Sequence, residues 1–161
     1  MSGGQCRVFV VEDHPATARG LKVFLELAGY SVEIATDKKS ALALAAQMHF
    51  DVLVCDLSLP DGTGWELMET LRKTNPMRGI AFSAFDEPEH VARSKAAGFD
   101  EHVVKGTTPE TLLAVIDRVA RFPLAPAVDE AARPQPNETA AIAAKSVARP
   151  APRRRKATAP K

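Results

Sequence analysis

The sequence predicts an α/β fold, an open (βα)5 doubly wound sandwich whose parallel five-stranded sheet is covered by helices on both faces. Three observations carry this. Five short runs rich in β-branched and aromatic residues, RVFVV (7–11), SVEIA (31–35), DVLVC (51–55), GIAFS (79–83) and EHVV (101–104), recur at the spacing of one βα unit. Apolar residues at helical spacing fill the intervals between them. Several of the runs are apolar on both faces, as strands must be when helices cover both sides of a parallel sheet.

The elements follow in order. The first run ends on Glu12-Asp13, Pro15 suits a first helical position, and Leu21, Phe24, Leu25 and Ala28 form one stripe before Gly29. After the second run, Asp37 suits an N-cap, and Ala41, Leu44, Ala45 and Met48 give the second stripe. DVLVC stops on Asp56, and Pro60-Asp61-Gly62 turns the chain towards a third helix, near whose start Trp65 is expected to pack into the core. The helix expected over 87–98, EPEHVARSKAAG, is the weakest, because apart from Val91 its apolar positions are alanines. Little burial holds it down, so it is the element most able to move. Thr108-Pro109-Glu110 opens the last helix, with the stripe Leu112, Val115, Ile116 and Val119.

Composition divides the chain. Of the last 39 residues 19 are Ala or Pro, with few large aliphatics, so residues 123–161 cannot bury enough surface to offset their ordering entropy. The expected organisation is a globular domain over 5–122 and a disordered Ala/Pro-rich basic tail over 123–161. Charge divides at the same place, near −4 before the boundary and +5 after it. Two cysteines, Cys6 and Cys55, are too few for a disulfide framework and read as reduced thiols. No apolar run approaches the ~18 residues of a membrane span, so the expected compartment is the cytoplasm.

The strand ends carry the chemistry. In a doubly wound sheet, ligands bind beyond the carboxyl ends of the strands. Glu12-Asp13, Asp56, Ser83 and Lys105 all fall at such ends and converge on one rim if the strands are parallel. Taken singly, each has an ordinary reading. Asp13 can cap the helix near Pro15, Asp56 can shape an Asx turn, Ser83 can be a satisfied hydroxyl and Lys105 a solvated charge. Together they are harder to dismiss, because two unit charges at 4 Å repel by roughly 4 kcal/mol at an effective dielectric of 20. A cation must sit among three carboxylates, and Mg2+, which accepts carboxylates, waters and phosphate oxygens, suits them. With Lys105 as a fixed positive charge and Ser83 as a hydroxyl, the set is equipped for phosphoryl transfer to a carboxylate.

VVEDHP, VCDLSLPDGTGWEL, AFSAF and HVVKG resemble the signature segments of response-regulator receiver domains of two-component signalling, over roughly residues 6–121. The resemblance implies a flavodoxin-like fold of strand order 2-1-3-4-5. It implies that Asp56 accepts the phosphoryl group, and that Glu12, Asp13, Asp56 and the backbone carbonyl of Ser58 hold Mg2+. Ser83 and Lys105 would contact the phosphoryl oxygens. The donor would be a phosphohistidine on a sensor histidine kinase or a histidine phosphotransfer protein. Such a chain is a phosphoacceptor taking part in its own phosphorylation and dephosphorylation, not a turnover enzyme. Four positions depart from the family pattern, among them Ser58 and Phe85, which stand two residues after Asp56 and Ser83 where Gln- or Asn-like polar groups are often seen. Gly106 follows Lys105 where proline is common, which predicts a trans peptide there. His102 stands where Tyr or Phe is usual, and reads either as a switch residue or as an exposed strand-end histidine.

No effector pattern is recognised after residue 122. The first expectation is a stand-alone receiver that signals by phosphorylation-dependent protein binding through its fourth helix, fifth strand and fifth helix. Two alternatives stand beside it. Arg149, Arg153, Arg154, Arg155, Lys156 and Lys161 make the tail a candidate for weak nucleic-acid binding through phosphate neutralisation. The chain can also be a receiver fragment of a hybrid kinase.

Overall fold

The computed structural model describes residues 4–122. The elements are β1 (Arg7–Val11), α1 (Pro15–Leu27), β2 (Ser31–Ala35), α2 (Lys38–Gln47), β3 (Val52–Cys55), β4 (Ser58–Leu59), β5 (Gly62–Thr63), α3 (Gly64–Thr74), β6 (Arg78–Ser83), α4 (Pro88–Ala97), β7 (Glu101–Val104) and α5 (Pro109–Arg121). Five strands form one sheet in the order β2-β1-β3-β6-β7, every pair parallel. Counting only these five, the order is 2-1-3-4-5, as the family resemblance implied. The short strands β4 and β5 pair antiparallel as a separate hairpin in the loop that follows β3.

Strands β1, β2, β3 and β6 feed two cores because alternate residues face opposite sides, whereas β7 gives Val103 to one of them. Phe9, Val11, Leu53, Cys55 and Ala81 pack with Ala41 and Ala45 of α2, Leu67, Met68 and Leu71 of α3, and Ala97 of α4. Val8, Val10, Val32, Val54, Ile80 and Val103 pack with Leu25 of α1 and Leu112, Ile116 and Val119 of α5. Burying each such Leu, Ile or Val side chain stabilises the fold by roughly 1.5–3 kcal/mol. Trp65 is buried, as expected, with Arg93 lying 4.0 Å from the centre of its ring.

The starts of α2 and α5 follow the sequence signals. Asp37 caps α2 by accepting from Ser40 N at 2.6 Å. Thr63 and Glu66 form a capping box on α3, and Thr108 caps α5. At α1, however, the cap is His14, whose side chain accepts from Thr17 N. Asp13 is one residue too early to reach that turn, and is left exposed beside the strand end. Helix α4 has no side-chain cap bond and buries only Ser94 and Ala97. Its weak hydrophobic anchoring therefore matches the sequence expectation.

Candidate functional site

Backbone register brings the strand ends level. Val11 pairs with Cys55, and the ladder continues one residue further as Asp56 N donates to the Val11 carbonyl at 2.8 Å. Glu12 N likewise donates to Ala35 O at 3.0 Å, and Lys105 N to Ser83 O at 2.7 Å. Glu12, Asp56, Ser83 and Lys105 are thus each fixed by a main-chain bond where their strands leave the sheet.

The side chains converge. Lys105 Nζ lies 2.6 Å from Glu12 Oε2 and 2.9 Å from Asp56 Oδ2. Asp56 Oδ1 accepts from Ser58 N at 3.0 Å, which folds the loop after β3 back over the carboxylate. Glu12 Oε1 accepts from His14 N at 3.1 Å. Glu12 is 1% and Asp56 7% exposed, whereas Asp13 and Ser58 are open to solvent. One oxygen from each of Glu12, Asp13 and Asp56 can be chosen so that all three lie within 4.8 Å of one another.

Burial sets the electrostatics. It raises the Glu12 carboxyl above its ordinary range, and the Lys105 and His14 contacts only partly oppose this. Burial by itself would lower Lys105, but its ion pairs with Glu12 and Asp56 outweigh that and hold the ammonium above its usual value. Glu12 Oε2 is fully buried and, despite its ion pair, receives no well-directed hydrogen bond. An acceptor oxygen in that position, flanked by two further carboxylates, fits a divalent cation with a preference for hard oxygen ligands.

The loop beyond Asp56 is pinned at both ends. Asp61 accepts from Lys38 N at 2.7 Å and Lys39 N at 2.8 Å, a cross-loop cap on α2 that holds this exposed carboxyl below its usual range. A Cβ at Gly64 would fall on the Asp56 carbonyl oxygen and stand 3.0 Å from Leu57 Cα. Neither is a flexible side-chain end, so Gly64→Ala is expected to lower stability by about 1–3 kcal/mol. A lower urea midpoint at unchanged slope is the readout.

Ser83 is buried, and its Oγ accepts from Phe85 N at 3.2 Å. His102 is half-buried and bonded at both ring nitrogens, to Ser94 Oγ at 3.1 Å and to the Phe85 carbonyl at 2.7 Å. The Lys105–Gly106 peptide is trans, and Gly106 takes φ +103°, a left-handed conformation that favours glycine. Cys55 is a buried core thiol donating to Asp56 O, with burial pushing it well up, and burial pushes Cys6 up to about 11. His14, Asp61 and Ser94 were not singled out from the sequence. Their roles depend on contacts across the fold or on which of two adjacent residues takes the cap. The basic tail and its suggested nucleic-acid binding lie outside the described residues.

Comparisons with known proteins agree with this geometry. The family described as response regulator receiver domain matches residues 8–117. The probable transcriptional regulatory protein TcrX of Mycobacterium tuberculosis is 34% identical over 104 residues, 64% of this chain and 44% of that protein. The sensor protein EvgS of Escherichia coli is 36% identical over 80 residues, 48% of this chain and 7% of that protein. Among solved structures, a CheY-like receiver domain protein from Methanospirillum hungatei superposes with a TM-score of 0.70 at 32% identity, covering 73% of this chain and 95% of that one. The chain spans about half the length of the curated transcriptional regulators it matches. Among the described residues, no helix is long and apolar enough to cross a membrane.

Proposed function

Because the chain belongs to the response-regulator receiver family, we propose that Asp56 is its phosphoacceptor, taking a phosphoryl group from a phosphohistidine of a sensor kinase or phosphotransfer protein. The observation that carries this reading is the bridging of Asp56 and buried Glu12 by Lys105. An oxygen of Asp56 attacks phosphorus, the P–N bond to the donor imidazole breaks, and an acyl phosphate forms. Lys105 holds a fixed positive charge beside the oxygens on which negative charge accumulates. Ser83 offers its hydroxyl to one of them, and the Ser58 N–H bond keeps the acceptor carboxylate in a single orientation.

Glu12, Asp13, Asp56 and the Ser58 carbonyl would hold Mg2+, which when bound neutralises the carboxylates and the transferring group. The site occupies the domain over 5–122 and works in the cytoplasm. Output runs through the face of α4, β7 and α5, where α4 is lightly anchored. Incubation with a small acyl phosphate donor tests the reading. Intact mass is expected to show one phosphoryl adduct with Mg2+ and none when a chelator removes it. An adduct of equal yield under both conditions would contradict the metal assignment.

A further inference from the structure

Behind Ser83 runs a hydrogen-bonded chain that the transfer chemistry does not itself require. Trp65 Nε1–H reaches Ser94 Oγ at 3.0 Å, and Ser94 Oγ lies 3.1 Å from His102 Nδ1. His102 Nε2 lies 2.7 Å from the Phe85 carbonyl oxygen, and Phe85 N–H donates to Ser83 Oγ at 3.2 Å. It joins α3, α4, β7 and the loop after β6 to one buried hydroxyl.

With the His102 ring neutral, the ends of the chain fix every proton in it. An indole N–H can only donate, and a peptide carbonyl can only accept. In the neutral ring Nε2 therefore carries the proton that goes to Phe85 O, and Nδ1 accepts. The Ser94 hydroxyl must donate to Nδ1, which leaves its oxygen to accept from Trp65. Ser94 is 1% exposed, so water cannot replace a bond lost there. At the other end, the Ser83 oxygen is occupied by Phe85 N–H, which leaves the Ser83 proton to be given to another acceptor.

We propose that Ser94 and His102 are positioning residues for Ser83, holding the backbone on both sides of the Phe85 Cα so that the Ser83 hydroxyl is presented to the phosphoryl group. The proposal rests on Asp56 being the acceptor. Helix α4 gives it a reason: with no side-chain cap bond and only Ser94 and Ala97 buried, α4 has Ser94 as its one buried polar anchor. The same hydroxyl that seats α4 aligns the loop beside the acceptor. His102 bonds the peptide group after Phe85 and Ser83 the one before it, so the link is mechanical: a break at Ser94 or His102 frees the Phe85 backbone and loosens the far end.

The test is timed phosphorylation of the full chain with a small acyl phosphate donor and Mg2+, with the Mg2+ Kd measured separately by calorimetry. Ser94→Ala and His102→Phe are expected to accept the phosphoryl group about three- to ten-fold more slowly, the scale of one lost buried hydrogen bond, at unchanged Mg2+ Kd. Ser94→Thr keeps the hydroxyl, and His102→Gln keeps one donor and one acceptor; both are expected to recover most of the rate. A purely structural role would lower the melting temperature without this pattern of rescue. If Ser94→Ala does not fold, the two His102 variants carry the test. Wild-type rates in His102→Phe, or equal slowing in His102→Phe and His102→Gln, would overturn the proposal while leaving the acceptor assignment intact. No adduct on the wild-type chain would overturn both.

Discussion

Asp56→Asn is expected to take up no phosphoryl group from an acyl phosphate donor while folding like the wild type. The amide nitrogen lone pair is delocalised, and a neutral carboxamide oxygen is a poor nucleophile, so transfer to this position ends. Asparagine is nearly isosteric, and its Oδ1 can still accept from Ser58 N, the bond that shapes the loop. What it loses is half of the double contact made by Lys105, whose Nζ lies 2.9 Å from Asp56 Oδ2. The ammonium keeps Glu12 as its partner at 2.6 Å, so no buried charge is orphaned. Intact mass with and without the donor, alongside a thermal melt, separates loss of chemistry from loss of fold. An adduct of wild-type size and yield on Asp56→Asn would place the acceptor elsewhere.

Lys105→Ala is expected to produce three changes of differing sign. Phosphoryl transfer should fall by about a hundred-fold or more, the scale on which removing one fixed charge-stabilising group slows an enzyme. Mg2+ affinity should hold or rise, because the ammonium no longer competes for Glu12 Oε2 and Asp56 Oδ2. Stability without Mg2+ should become more sensitive to pH. Glu12 is already raised above its ordinary value of 4.5 by burial, and losing its cation raises it further. The native state then retains a proton that the unfolded chain has released, so stability is fullest below the ordinary value and declines as pH rises through the raised one. Added Mg2+ should restore stability in proportion to its occupancy. Urea melts across pH, calorimetric Mg2+ titration and timed mass spectra read the three changes. A fall in Mg2+ affinity together with an unchanged transfer rate would contradict the role given to Lys105.

The fold was legible because its signals are local. Strand runs, helical stripes and caps such as Asp37 and Thr108 are written within a few residues of where they act. The rim was legible for a topological reason: once strands are parallel, polar residues at their carboxyl ends must meet, as Glu12 and Asp56 do one step beyond the Val11 and Cys55 pair. Contacts across the fold were not. Asp61 caps a helix that begins 23 residues earlier in the chain, and Trp65 finds Ser94 across 29 residues. Nothing in the local pattern of either residue names its partner. The choice of His14 over Asp13 as the α1 cap was not legible either, since both lie within a residue or two of Pro15 and the backbone geometry at the strand exit decides between them. The poor burial of helix α4 is legible in its alanines, but the polar bond that seats it is not, because a serine between Arg93 and Lys95 looks like any surface position.

Reductive trapping tests the central claim most directly. Borohydride reduces an aspartyl phosphate to the corresponding alcohol, so the acceptor is recorded as homoserine and can be located by peptide mass mapping. After reaction with the donor and Mg2+, the expected result is homoserine at position 56 and at no other carboxylate, with none formed when the metal is chelated. Homoserine at Asp13, or an adduct that survives borohydride without leaving any mark at position 56, would contradict it.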